Sequence, residues 1–418
     1  MKVYKFGGAS LGSKERIENV GKILLESSNE PLMVIMSAMG KTTNALEKVV
    51  DAFFEGNSTV ALQLFDEIKE SHLAIVKDIL QGTAKNAVEH LQTFFTEVEW
   101  LLHDQPVQSY DYYYDQIVCI GELLSTSIVS FYLNEKGIVN LWLDVRDILR
   151  TDNNFRDANV NWEETAVNIN KVGIGTKPEI FLTQGFIGST DQNESTTLGR
   201  EGSDFTAAIF ANLLNAESLT IWKDVEGVMS ADPKVFPSAT LMSELSFNEV
   251  IEMAFYGAQV IHPKTIKPLQ NKQIPLKVKC FLDTTLPGTT ISNSLAKQLP
   301  PVIILKEKQV LIHMQSQDFS FVGEKPISRL YELFAELNIR PNLIQTAAIN
   351  LQLCMDDRQD KINSLCVSAG EIFDVQLQKG LTLLTIRHYT EPLLAEMTMG
   401  KNILLTQKTK ETVQVLYA

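Results

Sequence analysis

Over its first 290 or so residues the chain alternates short apolar runs with longer amphipathic stretches. This alternation constrains the fold more than any other feature. The runs at 3–6, 32–36, 138–143, 179–183, 218–222 and 276–280 have the length and composition of strands. Strands separated by helical stretches predict an α/β domain, a mainly parallel sheet sandwiched by helices.

Between about 45 and 134 the period is helical throughout. Val88, Leu91, Phe95, Val98 and Leu102 fall at spacings of three and four, as do Ile117, Ile120, Leu124, Ile128 and Phe131. Both stripes read as core. Tyr110, Tyr112, Tyr113 and Tyr114 read as packing or a helix entry. A turn-rich segment, 287–301, marks a domain boundary. Beyond it come a strand pair at 302–305 and 309–313, a helix at 327–337, a strand at 347–355 and a helix at 361–369. A second pair at 375–378 and 381–386, a short helix at 392–397 and strands at 403–407 and 412–417 close the chain. This rhythm predicts ferredoxin-like βαββαβ modules. The second is too short to be complete, so it is reduced or shares strands with the first. The expected domains are 1–296 and 302–418.

The net charge of −14 argues against nucleic acid as a partner. It leaves room for an anionic nucleotide, which needs only a local cationic pocket and can bring magnesium. No run of 18 apolar residues and no leader-like N-terminus is evident, so a cytoplasmic protein with no membrane partner is expected. Cys119, Cys280, Cys354 and Cys366 lack paired ligand spacing and the six histidines do not cluster, so no metal site is expected from them.

Two short stretches carry chemistry. Residues 3–6 end in Gly7-Gly8, with Lys5 near the strand end; a strand, a glycine turn and a helix cradle phosphate in α/β proteins. Neither a G-x-x-x-x-G-K-[ST] loop nor a dinucleotide fingerprint occurs. Gly199-Arg200-Glu201-Gly202-Ser203-Asp204 joins two glycines, a guanidinium, a hydroxyl and a carboxylate, then enters a helix. Helix N-termini offer free N–H groups to anions, and arginine offers a planar fork.

Together with Ser37–Asn44, Gly121-Glu122, Thr183–Gly188, Trp222–Val228 followed by Asp232-Pro233-Lys234, and Gly257–Pro263, these stretches resemble the aspartate kinase family of the amino-acid kinase superfamily. The likeness is close to about residue 290 and looser beyond, where the tail resembles the paired ACT modules of that family. It implies an amino-acid kinase fold, ATP with Mg²⁺, and phosphorylation of the L-aspartate side-chain carboxylate to 4-phospho-L-aspartate, the first step toward lysine, threonine and methionine. That carboxylate, with a pKa near ~4, is already ionised at neutral pH, so no general base is required. The work left is to offset repulsion between two anions and align them.

By the same resemblance Lys5 is the catalytic cation and Asp204 orients cationic groups or reaches magnesium through water. Gly7 and Gly8 donate N–H groups to phosphate. Arg200 grips the substrate carboxylate, Glu122 binds its ammonium, and Thr43 and Ser203 assist. Ser37, Lys223, Asp224, Met229, Lys234 and Gln259 complete the nucleotide site. Met314, Ser316, Phe319, Phe321 and Asn342 belong to an amino-acid effector site, and the ACT modules imply a homo-oligomer, dimer or tetramer. The chain departs from the family at Ala9, Lys223, Met229 and Gln259, and Asn342 stands where an aspartate is frequent. Lys223 or Lys264 is expected to replace a phosphate-site lysine absent at Gln259. The rival readings are an amino-acid kinase acting on a glutamate-type substrate and a non-catalytic amino-acid sensor.

Overall fold

The computed structural model describes residues 1–27, 30–174, 179–294, 299–318 and 320–418. Two compact units emerge. The first comprises Met1–Val228, Leu241–Ile251 and Val260–Ala296; the second comprises Met229–Thr240, Glu252–Gln259 and Lys297–Ala418. The second unit thus draws two segments from the region before the turn-rich boundary.

The first unit opens with β1 (Lys2–Phe6), α1 (Lys14–Glu26) and β2 (Leu32–Met36). Five helices follow: α2 (Thr42–Phe54), α3 (Ser58–Ile79), α4 (Ala84–His103), α5 (Tyr110–Val118) and α6 (Ile120–Glu135). Then come β3 (Asn140–Leu143), α7 (Trp162–Val172), β4 (Ile180–Gln184), β5 (Ile187–Ser189), β6 (Ser195–Thr197) and α8 (Gly202–Leu213). The remaining elements are β7 (Ser218–Lys223), β8 (Glu244–Ser246), α9 (Phe247–Tyr256), α10 (Pro263–Lys272), β9 (Leu276–Cys280) and β10 (Thr289–Ser292).

Eight strands form one sheet in the order β3-β4-β2-β1-β7-β9-β10-β8. It is parallel from β3 through β9, and β10 turns antiparallel to β9. All five residues of β2 and of β4 are buried, as continuous apolar strands in a sheet covered on both faces must be. β1 lies at the centre, Lys5 opposite Ile35 of β2 on one side and Ile221 of β7 on the other. The chain leaves β1 toward β2 and later returns to β1's other side at β7. The strand order therefore reverses there, and a crevice opens at the carboxyl ends of the strands.

α5 and α6 run on as a 26-residue stretch, Tyr110–Glu135, long and apolar enough to cross a membrane. It is a core element instead, its most apolar 18 residues 89% buried. Its apolarity all round the helix, rather than on one stripe, follows from that position.

The second unit contains β11 (Val302–Ser316), α11 (Glu324–Glu336), β12 (Leu343–Thr346), β13 (Asn350–Asp356), α12 (Gln359–Ala369), β14 (Phe373–Arg387), α13 (Glu391–Thr398), β15 (Ile403–Lys408) and β16 (Thr412–Tyr417). Its six-stranded sheet has the order β12-β13-β11-β14-β16-β15, antiparallel throughout. The two strand pairs expected from sequence, 302–305 with 309–313 and 375–378 with 381–386, are instead single strands of 15 residues, β11 and β14. Lys308 at φ 53° and Gly380 at φ 74° kink the strands without reversing them, beside register shifts at Lys306/Gln309 and Gln309/Leu311. The outer half of the pair joins β12, β13, α11 and α12 into a complete βαββαβ module. The inner half joins β15, β16 and α13 into a reduced one. The second module is therefore both abbreviated and built on shared strands.

Candidate active site

β1 delivers Lys5 to the centre of the sheet. Its Nζ pairs with Asp204 Oδ1 at 2.7 Å, the two side chains 12% and 6% exposed. Asp204 sits in the first turn of α8, where a carboxylate also suits the helix dipole. α8 packs against β1, β2 and β7 and is buried from Gly202 to Ala211, which fixes the pair's position.

The turn after β1 is closed by its neighbours. Gly40 N–H donates to the Gly8 carbonyl at 3.0 Å, and Ser37 N–H donates to the Phe6 carbonyl at 3.1 Å. A Cβ on Gly8 would stand 2.6 Å from the Ala38 carbonyl oxygen and 2.9 Å from that of Gly40. Both are backbone atoms, so only glycine fits this close approach. Gly8→Ala should shift the turn and lower kcat/KM for ATP by about tenfold or more, since small misplacements are costly in phosphoryl transfer. Steady-state kinetics with ATP varied checks this; an unchanged value would mean that the turn does not position phosphate.

α6 brings Glu122 into the same region, 2% exposed. Oε1 accepts the Ala38 N–H at 3.3 Å, while Oε2 is buried with no hydrogen-bond partner. Burial pushes the carboxyl up to about 8, against the opposing pull of the Ala38 and Glu122 N–H groups and of Lys5. A buried carboxyl with a free oxygen is suited to receive a cation.

A cleft of about 470 Å³ gathers Lys5, Gly8, Ser37, Thr43, Glu122, Arg200, Ser203 and Asp204. Gly7 adjoins it, since a Cβ there would lie 3.4 Å from Lys5 Nζ. Arg200 is exposed on the cleft wall. Gly199 before it has φ 75°, and a Cβ there would meet Asp157 Oδ1 at 2.8 Å. Tyr114 and Arg156 line the same cleft and carry no motif by which the sequence could reveal them.

The remaining expected residues fall elsewhere. Lys223 ends β7, and its Nζ donates to the Val260 carbonyl at 2.9 Å; Asp224 follows, exposed. Neither lines the cleft. Lys264 Nζ pairs with Asp157 Oδ1 at 2.5 Å and donates to the Leu198 carbonyl at 3.2 Å, so it braces the Gly199 turn and does not point a free charge into the cleft. Met229, Lys234 and Gln259 belong to the second unit.

Within the second unit a cleft of about 270 Å³ is lined by Ser316, Asp318, Ser320, Phe321 and Phe373, among others. Ser316 and Phe321 were expected there, and Asp318 lies in the same stretch; Phe373 was not expected. The Ser320 hydroxyl and N–H, with the Ser316 hydroxyl, hold the Asp318 carboxyl down at about 2. Met314 is fully buried in the core instead, beside Val310, Leu333 and Leu353. Asn342 is engaged on both ends of its amide: Oδ1 accepts from Lys306 at 2.7 Å, and Nδ2 donates to Gln309 at 2.7 Å and Asp356 at 2.8 Å. Asn342 does not line the smaller cleft. Phe319 lies outside the described residues.

The amino acid kinase family profile matches residues 1–280. This chain belongs to the amino acid kinase family. The match embraces every strand of the parallel sheet's centre and every residue of the larger cleft. Among relatives within this family, the maize bifunctional aspartokinase/homoserine dehydrogenase 1 is 34% identical over 301 residues, covering 71% of this chain and 32% of its own. The chain thus spans about a third of the length of such bifunctional relatives. Aspartokinase 1 of Arabidopsis thaliana is 29% identical over 410 residues, covering 92% and 70%. Among solved structures, E. coli aspartokinase III in complex with lysine and aspartate superposes with a TM-score of 0.81 at 26% identity, covering 100% of this chain and 95% of that one. The form of that enzyme with aspartate and ADP gives 0.80. The mainly parallel sheet with helices lies in the part that the family profile matches, and ACT-type antiparallel modules follow it in this chain.

Proposed function

We propose that the chain is an aspartate kinase, transferring the γ-phosphoryl group of ATP to the side-chain carboxylate of L-aspartate. The observation that carries this reading is the buried Lys5–Asp204 pair beside the Gly7-Gly8 turn, in one cleft with Glu122 and Arg200. The relatives' names and the aspartate and ADP in the E. coli structure support the same substrates. A carboxylate oxygen of aspartate attacks the γ-phosphorus, the bond to the β–γ bridging oxygen breaks, and its electron pair leaves with ADP. Lys5 offsets the charge gathering between the two anions. Gly7 and Gly8 hold phosphate oxygens through N–H groups. Arg200 binds the substrate's α-carboxylate and Glu122 its ammonium, with Ser37, Thr43 and Ser203 lining the same cleft and offering hydroxyls to the ligands.

Among the described residues no group of three His, Cys, Asp or Glu is placed to hold a metal ion. Asp204 would be the residue to meet, through water, a magnesium ion carried on the phosphates. When bound it would neutralise phosphate charge. Lys223 and Asp224, at the carboxyl end of β7 next to β1, are read as approaching the nucleotide.

We take 1–296 as the catalytic region and 302–418 as regulatory. The Asp318 carboxylate suits the ammonium of an amino-acid effector in the smaller cleft, and the ACT modules suit assembly into a homo-oligomer. A cytoplasmic location is proposed for this chain, although the plant relatives are named chloroplastic. A coupled ADP assay tests the function: ADP release with L-aspartate and none with L-glutamate is expected. Turnover of glutamate but not aspartate would move the chain to another amino-acid kinase, and turnover of neither would leave it a sensor.

A further inference from the structure

Arg156 belongs to no motif, yet its side chain lines the larger cleft together with Lys5, Glu122 and Arg200. Its backbone has φ 67°, in the left-handed region where glycine is the unstrained choice. Such conformations persist where the surroundings over-determine them, and they gather at functional sites. Here the surroundings are explicit. The buried Asp115 accepts the Arg156 N–H at 3.0 Å, and it also accepts the Thr197 N–H at 2.8 Å and the Thr197 hydroxyl at 2.7 Å. One carboxylate therefore ties the Arg156 turn to β6, two residues before Gly199. A Cβ on Gly199 would stand 3.1 Å from the Arg156 carbonyl oxygen, so the backbones bearing Arg156 and Arg200 lie against each other.

The guanidinium itself is aimed rather than loose. Its carbon lies 4.4 Å from the centroid of the Tyr114 ring and 5.5 Å from that of Tyr110, and Nη1 donates to Asp111 Oδ1 at 3.2 Å. Glu47 Oε1 stands 3.9 Å from Nη2, beyond hydrogen-bond distance. Of five N–H donors, one is engaged by Asp111, and the fork keeps donors for a ligand in the cleft. In the reading above Lys5 meets the reacting carboxylate and Glu122 the ammonium, which leaves the α-carboxylate as the anionic group for the arginines.

We propose that Arg156 is a specificity-determining residue that binds the substrate's α-carboxylate jointly with Arg200, each guanidinium taking one oxygen. The proposal rests on the aspartate kinase reading above. It makes the α-carboxylate, as well as the reacting carboxylate, a condition of entry: an α-amide would leave two cations facing a neutral group.

The test compares L-aspartate with its α-amide in the full-length chain and in R156G, which removes the guanidinium while relaxing the backbone. We expect KM for aspartate to rise by about 20-fold in R156G with kcat changed less than about threefold and KM for ATP unmoved, the pattern of lost substrate binding. The preference for aspartate over the amide, as a ratio of kcat/KM, should fall by about tenfold or more. The melting temperature should not fall, because glycine suits φ 67°. R156K, which keeps the charge and loses the fork, should recover only part of the affinity. If R156G does not fold, R156Q carries the same comparison. An R156G or R156Q enzyme that keeps the wild-type KM and the wild-type preference overturns the proposal, as does a loss confined to kcat or to ATP affinity. A wild-type chain inactive on aspartate overturns the parent reading and this one with it; an active wild type with unchanged preference in the variants overturns this one alone.

Discussion

Replacing Lys5 with methionine is expected to lower kcat by about 10²–10³-fold, the usual effect of deleting one charge-stabilising group at a transferring centre. The substitution also strands Asp204, which is 6% exposed and would lose its 2.7 Å partner. Breaking a buried pair from one side costs about 3–5 kcal/mol, so instability alone could mimic the kinetic loss. The double variant K5M/D204N separates the two effects. It removes both charges, and its stability should return toward wild type while its turnover stays low. Single-turnover measurements with ATP and aspartate, alongside thermal denaturation of both variants, give the comparison. A stable double variant that turns over aspartate at the wild-type rate would show that the phosphoryl group is transferred elsewhere.

Glu122→Gln should have the second largest effect, and in opposite directions for stability and binding. The carboxyl sits at about 8 in the free protein because it is buried. Its ordinary value is 4.5, so the folded state binds the proton more tightly than the unfolded chain does. The stability it contributes is complete below pH 4.5 and is lost progressively as pH rises to about 8. Glutamine does not titrate, so E122Q should melt higher than wild type at pH 8–9, by about 3 °C or more at ~2–4 °C per kcal/mol. Substrate binding runs the other way. Only the ionised carboxylate can pair with an ammonium. Below pH 8 the competent fraction falls about tenfold per pH unit, and the apparent affinity falls with it. Wild-type KM for aspartate should therefore decrease from pH 6 to 8 and level off above, while E122Q shows a KM flat over this range and roughly tenfold or more above the wild-type plateau. Proton release on aspartate binding at pH 7, measured by calorimetry in buffers of different ionisation enthalpy, should vanish in the variant. A wild-type KM independent of pH between 6 and 8 would remove Glu122 from the ammonium site.

What was legible in the sequence is what depends on local chemistry. Lys5, Gly8, Arg200, Ser203 and Asp204 lie at a strand end, a glycine turn and a first helical turn, Ser37, Thr43 and Glu122 were implied only by the family resemblance, and the structure gathers all of them in one cleft. Arg156 was not legible, because its placement depends on a left-handed turn pinned by Asp115, a residue 41 positions earlier. Met229, Lys234 and Gln259 read as part of the first domain because they are close to it in the chain, yet their contacts assign them to the second unit. Lys306 and Lys308 looked like the turn of a hairpin, and polar residues at a bulge give the same pattern as polar residues at a reversal. Asn342 was named by the family resemblance alone, and the sequence carries no sign of the three side chains that engage it.

The shared strands of the C-terminal sheet give it an unusual mechanical character. β11 and β14 are hydrogen-bonded from Val302 opposite Arg387 to Ser316 opposite Phe373. At about 3.3 Å per residue, each is a beam of roughly 50 Å. Ser316 and Phe373, at one end of that double beam, are also walls of the smaller cleft. A tilt imposed there runs to the far end along peptide bonds, through the kinks at Lys308 and Gly380. The reduced module is in this sense a lever arm of the complete one.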